Sequence, residues 1–109
     1  MTDSIVQQVQ DWFAENERTL SEMFPKVRCH IMEETDPVRG KATIQVDGKI
    51  LGGSITFWNK RDVEAMALDK VSGQNHLFDD RVLGADDDVT TLLQGYLERL
   101  TGLLKADSR

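Results

Sequence analysis

Apolar residues recur at helical spacing over residues 3–24, where Ile5, Val9, Trp12, Phe13, Leu20 and Phe24 share one face among glutamines and glutamates. Ser4 followed by Gln7 has capping-box spacing, and Pro25 disfavours helical geometry at Phe24, so the pattern predicts a helix that stops there. The period then changes to two. Val27, Cys29 and Ile31 alternate with Arg28, His30 and Met32, as a strand with one core face requires. A solvated connection over Glu33–Gly40, marked by Asp36-Pro37, leads to a second strand over Lys41–Val46 with Ala42, Ile44 and Val46 on one side.

Asp47-Gly48 then offers two residues that tolerate positive φ, and predicts a tight type I′ hairpin into a third strand over Lys49–Trp58. Gly52-Gly53 predicts a bulge or bend within that strand. Asn59–Asp62 turns the chain into a fourth strand over Val63–Leu68, and Ser72-Gly73-Gln74 turns it again toward a short fifth one within Asn75–Leu83, around Leu77 and Phe78. Val89, Leu92, Leu93, Tyr96, Leu97, Leu100, Leu103 and Leu104 form a wide apolar stripe for a closing helix. Asp86, Asp87 and Asp88 stand at its start, with Arg99 and Lys105 toward its end, where the helix dipole favours each sign. The order predicts a single α+β domain over residues 1–109. It has an N-terminal helix, a four- or five-stranded antiparallel meander and a C-terminal helix, with both helices on one face of the sheet.

Composition narrows what such a domain can do. The 109 residues carry 13 Lys and Arg against 19 Asp and Glu, a net charge of −6 that repels phosphate backbones and anionic lipid. Neither a nucleic acid nor a membrane is therefore an expected partner. The apolar stretch Ile50–Trp58 is broken by Gly52, Gly53, Ser54 and Thr56 and falls short of a bilayer span. No basic start followed by an apolar run opens the chain, so no secretory signal is expected and the cytoplasm is the expected compartment. The single cysteine, Cys29, can form neither an intramolecular disulfide nor a Cys-based zinc site.

Candidate chemistry is sparse. His30 sits beside Arg28 on the outward side of its strand, whereas His76, close to Asp79, fits a structural hydrogen bond at a strand end as well as an acid–base pair. Cys29 alternates with core residues and has no feature that lowers a thiol pKa; a Cys29–His76 dyad needs a convergence that nothing in the sequence selects. The run Asp86–Asp88 lacks the ligand spacing of a calcium loop and fits helix capping. Gly52-Gly53 is followed by no Lys-Ser or Lys-Thr and makes no phosphate loop. No catalytic residue, metal site or cofactor is expected.

Charge and aromatics supply what remains. Between Asp62 and Glu98 lie nine acidic and two basic residues, a local charge of −7 that fits either a solvated face or steering toward a basic protein partner. If Ile55 and Phe57 point at the helices, Trp58 lies on the open face of the sheet, with Glu64 and Met66 near it across the Asn59–Asp62 turn. If both faces are covered, Trp58 is core.

The run Gly53-Ser54-Ile55-Thr56-Phe57-Trp58, then a turn and Val63-Glu64-Ala65-Met66-Ala67-Leu68-Asp69, is followed by a Ser72-Gly73 turn, Phe78 and an acidic, Leu-rich closing helix. Together these features, about half the chain, resemble small bacterial immunity proteins of polymorphic toxin systems, of the TriTu type. The turn after the tryptophan, where the resemblance implies a glycine, reads Asn59-Lys60-Arg61-Asp62 here. The resemblance implies a non-catalytic protein that binds and inactivates one cognate toxin domain inside the producing cell. Such toxins are often nucleases with basic clefts that an acidic inhibitor can occlude. Composition and strand facing then make Trp58, Glu64, Asp69, Asp79 and Asp80 the interface candidates. Type III secretion chaperones are an alternative of another class, being small, acidic α+β proteins that hold an effector segment as homodimers, though with a helix interrupting the sheet. A small enzyme built on His76 or Cys29 is the third reading. The sequence leaves open whether the chain is a monomer or a homodimer.

Overall fold

The computed structural model describes residues 4–48 and 51–107, without the side chains of residues 76–78 and 103–107. Helix α1 (Ile5–Met23) begins where the Ser4 hydroxyl accepts from the Gln7 amide at 3.1 Å, the cap that the spacing predicts. It ends as Phe24 turns extended ahead of Pro25. Five strands follow in sequence: β1 (Lys26–Met32), β2 (Lys41–Asp47), β3 (Leu51–Trp58), β4 (Asp62–Asp69) and β5 (Asn75–Val82). They lie side by side in chain order, every pair antiparallel, so the sheet is a meander of local hairpins. Helix α2 (Val89–Asp107) opens on Asp88, whose carboxylate accepts from the Thr90 amide at 3.1 Å and the Thr91 hydroxyl at 3.2 Å. The architecture is α+β, with both helices on one face, as the hydrophobic pattern predicts.

Strand alternation explains the layering. Ala42, Ile44 and Val46 of β2, Leu51, Ile55 and Phe57 of β3, and Val63, Ala65 and Ala67 of β4 are buried. They share one core with Val6, Val9 and Trp12 of α1 and Leu93, Tyr96, Leu97 and Leu100 of α2. Burying each large apolar side chain is worth roughly 1.5–3 kcal/mol, which makes this shared layer the main support of the fold. Val27, Cys29 and Ile31 of β1 pack at its margin, where partial burial raises the Cys29 thiol pKa by desolvation.

Three local expectations are corrected. β3 carries no bulge: its pairing with β2 and β4 runs unbroken through Gly52 and Gly53, and the register shift lies between Ala67 and Leu68 on the β4–β5 side. Gly53 instead provides clearance, since a Cβ there would lie 3.0 Å from Leu100 of α2 and 3.3 Å from the Met66 carbonyl. Asp47 and Gly48 do not form the tip of the β2–β3 hairpin, because Asp47 pairs with Gly52 and the Gly48 amide donates to the Leu51 carbonyl at 2.7 Å; residues 49 and 50 lie outside the described residues. The fifth strand is not short: it spans Asn75–Val82, with Leu83 buried just beyond it. The side chains of His76, Leu77, Phe78, Leu103, Leu104 and Lys105 lie outside the described residues.

Candidate functional site

The sheet face turned away from both helices carries the side chains that alternate with the core residues along the strands. Registered pairs order its side chains into rows. One row runs His30, Thr43, Thr56, Glu64, Asp80 from β1 to β5, with the Thr43 and Thr56 hydroxyls hydrogen-bonded at 2.9 Å in its middle. The next runs Arg28, Gln45, Ser54, Met66, and a third runs Lys26, Asp47, Gly52, Leu68, Asn75. Met32, Lys41 and Trp58 form the row at the opposite end. Charge is thus sorted across the sheet. β1 offers Lys26, Arg28 and His30, and Asp47 of β2 stands beside Lys26 and pairs with Lys70. Thr43, Gln45, Ser54 and Thr56 fill the centre, and Glu64 and Asp80 stand together toward the β5 edge.

The five residues singled out from sequence separate in space. Glu64 and Asp80 are direct cross-strand neighbours on the open face. Like charges so placed repel and cost stability. Trp58 is half-buried on the same face, one row along and beside Lys41, so the reading in which it is core is set aside. Its pocket is cationic rather than acidic: Arg39, Lys41 and Lys60 line a shallow cavity of about 340 Å³ with it.

Asp69 lies at the far end of β4, where its carboxylate accepts from the Val71 and Ser72 amides at 2.8 and 3.2 Å and shapes the β4–β5 turn. Asp79 faces the helices. It accepts from the Tyr96 hydroxyl at 2.5 Å and from Arg81 Nε at 3.0 Å. The Tyr96 hydrogen bond holds the Asp79 carboxyl below its usual range, with Arg81 adding to the effect. Burial, reinforced by Asp79, pushes the Tyr96 phenol up to about 12.

Much of the acidic segment is therefore structural. Asp88 caps α2, Asp87 accepts from the Gly84 amide at 2.6 Å, and Asp62 pairs with Lys60 at 2.9 Å. What the sequence does not reveal is the device that holds the Trp58 end of the sheet. Asn59 accepts from the Val6 amide at 3.0 Å, inside the first turn of α1, and donates to the Glu34 and Asp36 carbonyls at 2.9 Å each. Arg61 stands at φ +82° within the turn where a glycine was implied. Its guanidinium donates to the Leu83 and Gly84 carbonyls at 3.2 and 2.7 Å, which offsets the backbone strain. The cations Arg28 and Lys41 were legible from strand alternation alone, each falling on the side opposite the core residues.

The described residues contain no cluster of His, Cys, Asp or Glu that could hold a metal ion, and no helix among them is long and apolar enough to cross a membrane. The model of the family described as Immunity protein TriTu matches residues 7–99, from the first turn of α1 to the middle of α2. The chain belongs to the TriTu immunity-protein family. No curated protein and no solved structure matches it significantly. Toxin neutralisation is the general function of immunity proteins, which act by binding and are generally non-catalytic. The open sheet face of this TriTu protein brings charged side chains and the half-buried Trp58 together on one regular sheet.

Proposed function

We propose that this TriTu protein neutralises one cognate toxin domain in the cytoplasm of the producing cell by docking the open face of its sheet against it. Glu64 and Asp80 meet basic groups of the toxin, and Trp58 supplies an aromatic anchor on the same face. Asp69, registered opposite buried Leu51 on the helix side of β4, enters only by shaping the β4–β5 turn, and Asp79 only by tying β5 to α2. A nuclease domain, whose cleft must be basic to hold its substrate, is the toxin class that such a carboxylate pair fits.

The observation that carries the reading is the registered Glu64–Asp80 pair. Two like charges set opposite each other on an exposed sheet oppose folding, and a basic partner would relieve them. The test starts by capturing the toxin from native lysate on the immobilised protein and identifying it by mass spectrometry. Its toxic domain is then co-expressed with wild type or with a Glu64→Lys, Asp80→Lys double variant. Wild type restores growth, and the double variant, folded by circular dichroism, fails to. Full protection by the double variant would overturn the assignment of this face.

A further inference from the structure

The end of the open face around Trp58 has properties that an acidic inhibitor surface does not call for. Trp58 shares its cavity with Arg39, Lys41 and Lys60, against a single carboxylate, Glu33. Lys60 is paired with Asp62, whereas Arg39 and Lys41 form no side-chain hydrogen bond or ion pair among the described residues. Two large apolar side chains, Met32 and Val38, line the same cavity and are 54% and 60% exposed, although neither contributes to the core. An aromatic ring, exposed aliphatics and an excess of cations, two of them without a side-chain ion pair, in one concavity is the composition of a recognition pocket rather than of a solvated face.

The frame around it is rigid. The eight-residue connection between β1 and β2 would be free to move, yet it is fixed at three levels. The Asp36 carboxylate accepts from the Val38 and Arg39 amides at 2.8 Å each. Asn59 holds the Glu34 and Asp36 carbonyls, and its own amide donates to the Gly40 carbonyl at 2.8 Å. Gly40 is buried so tightly that a Cβ there would come within 2.6 Å of the Asp36 and Glu33 carbonyl oxygens. Glu33 and Arg61, the two non-glycine residues of positive φ among those described, flank this corner at +47° and +82°. Strain held in place by surrounding hydrogen bonds is characteristic of sites arranged for a partner.

We infer that the Trp58 corner is a second, oppositely charged subsite of the toxin-binding face, which receives an acidic segment of the partner carrying an apolar side chain. The inference rests on the reading that the open sheet face is the interface. It adds that the partner surface is two-signed, basic opposite Glu64 and Asp80 and acidic opposite Arg39, Lys41 and Lys60. Carboxylates of that segment pair with Arg39 and Lys41, Lys60 adding its charge from its pair with Asp62, while the apolar side chain lies against Trp58, Met32 and Val38. Such an arrangement fixes the orientation of docking, because a partner turned end for end would set like charges against each other.

The test uses two probes on the full chain labelled with ¹⁵N, an acetylated hexaglutamate and an acetylated hexalysine, followed by NMR. The Trp58 indole signal is assigned with Trp58→Phe. Hexaglutamate shifts the Trp58 indole and the Arg39 and Lys41 amides saturably, and Arg39→Glu weakens that binding by about tenfold or more. Lys60→Glu, on the exposed turn, does the same if Arg39→Glu disturbs the loop. Hexalysine shifts the Glu64 and Asp80 amides. Absence of a hexaglutamate response, an equal response to inorganic phosphate, tighter binding of a single-stranded oligonucleotide, or indifference to both charge reversals overturns the inference. If hexaglutamate fails while hexalysine binds at Glu64 and Asp80, the acidic half of the interface stands alone. If hexalysine fails while hexaglutamate binds, the cationic corner stands and the carboxylate pair loses its role.

Discussion

Asn59 joins three pieces of backbone far apart in sequence, the first turn of α1, the β1–β2 connection and the β3–β4 turn. Val6 is fully buried, so the amide that Asn59 receives has no access to water as a substitute. Asn59→Ala is expected to cost about 2–3 kcal/mol in urea unfolding, since it leaves several polar groups without partners. Asn59→Asp keeps the acceptor for Val6 but sets a carboxylate against two carbonyls, and is expected to lose at least as much. The Tyr96–Asp79 pair sets a pH window. Asp79 has a depressed pKa in the folded state, so its contribution is full above the ordinary carboxylate range and is lost as pH falls through the depressed value. Tyr96 is raised to about 12, so its contribution is full below the ordinary tyrosine value and is lost as pH rises through about 12. Tyr96→Phe is therefore expected to lower stability at neutral pH by about 1.5–3 kcal/mol. The difference from wild type should narrow at both extremes, which thermal melts across pH would read.

Helix α2 approaches the sheet most closely at Gly53, where Leu100 sits over a position without a side chain. Gly53→Val is expected to cost about 1–3 kcal/mol by overpacking. Combined with Leu100→Ala, it should cost less than the two changes separately, a coupling that a double-mutant cycle of unfolding free energies measures. Much at this scale was legible in the sequence because it is local. The Ser4 cap, the stop at Pro25, the strand facing and the Asp88 helix start all depend on residues within a turn of each other. Gly53 was misread for the opposite reason: a glycine in a strand looks the same whether it bends the chain or admits a helix, and the distinction lies in Leu100, 47 positions away. The same limit applies to the site. Alternation put Trp58 and Glu64 on one side of the sheet without deciding whether that side was open, while Asp79 fell on the helix side and Asn59 went unnoticed, because their partners Tyr96 and Val6 are distant in sequence.

At the scale of the whole molecule, net charge conceals the arrangement that counts. The excess of acids gives −6, yet several of those acids are spent on caps, turns and the tie to α2, and the open face itself runs from cationic at β1 to anionic near β5. A surface sorted in this way couples stability to recognition. On the proposed reading, a basic partner relieves the like-charge contact that the register sets up between Glu64 and Asp80, so removing it should move the two properties in opposite directions. Glu64→Gln is expected to raise stability by about 0.2–1 kcal/mol while slowing association with the captured toxin domain. The slowing should be largest at low salt and fade as ionic strength rises from about 0.05 to 0.5 M, where screening removes long-range attraction. Urea unfolding and stopped-flow association over that salt range check both halves. A variant that gains stability with its association rate unchanged would make the carboxylate pair an incidental cost of the fold and place toxin recognition elsewhere on the molecule.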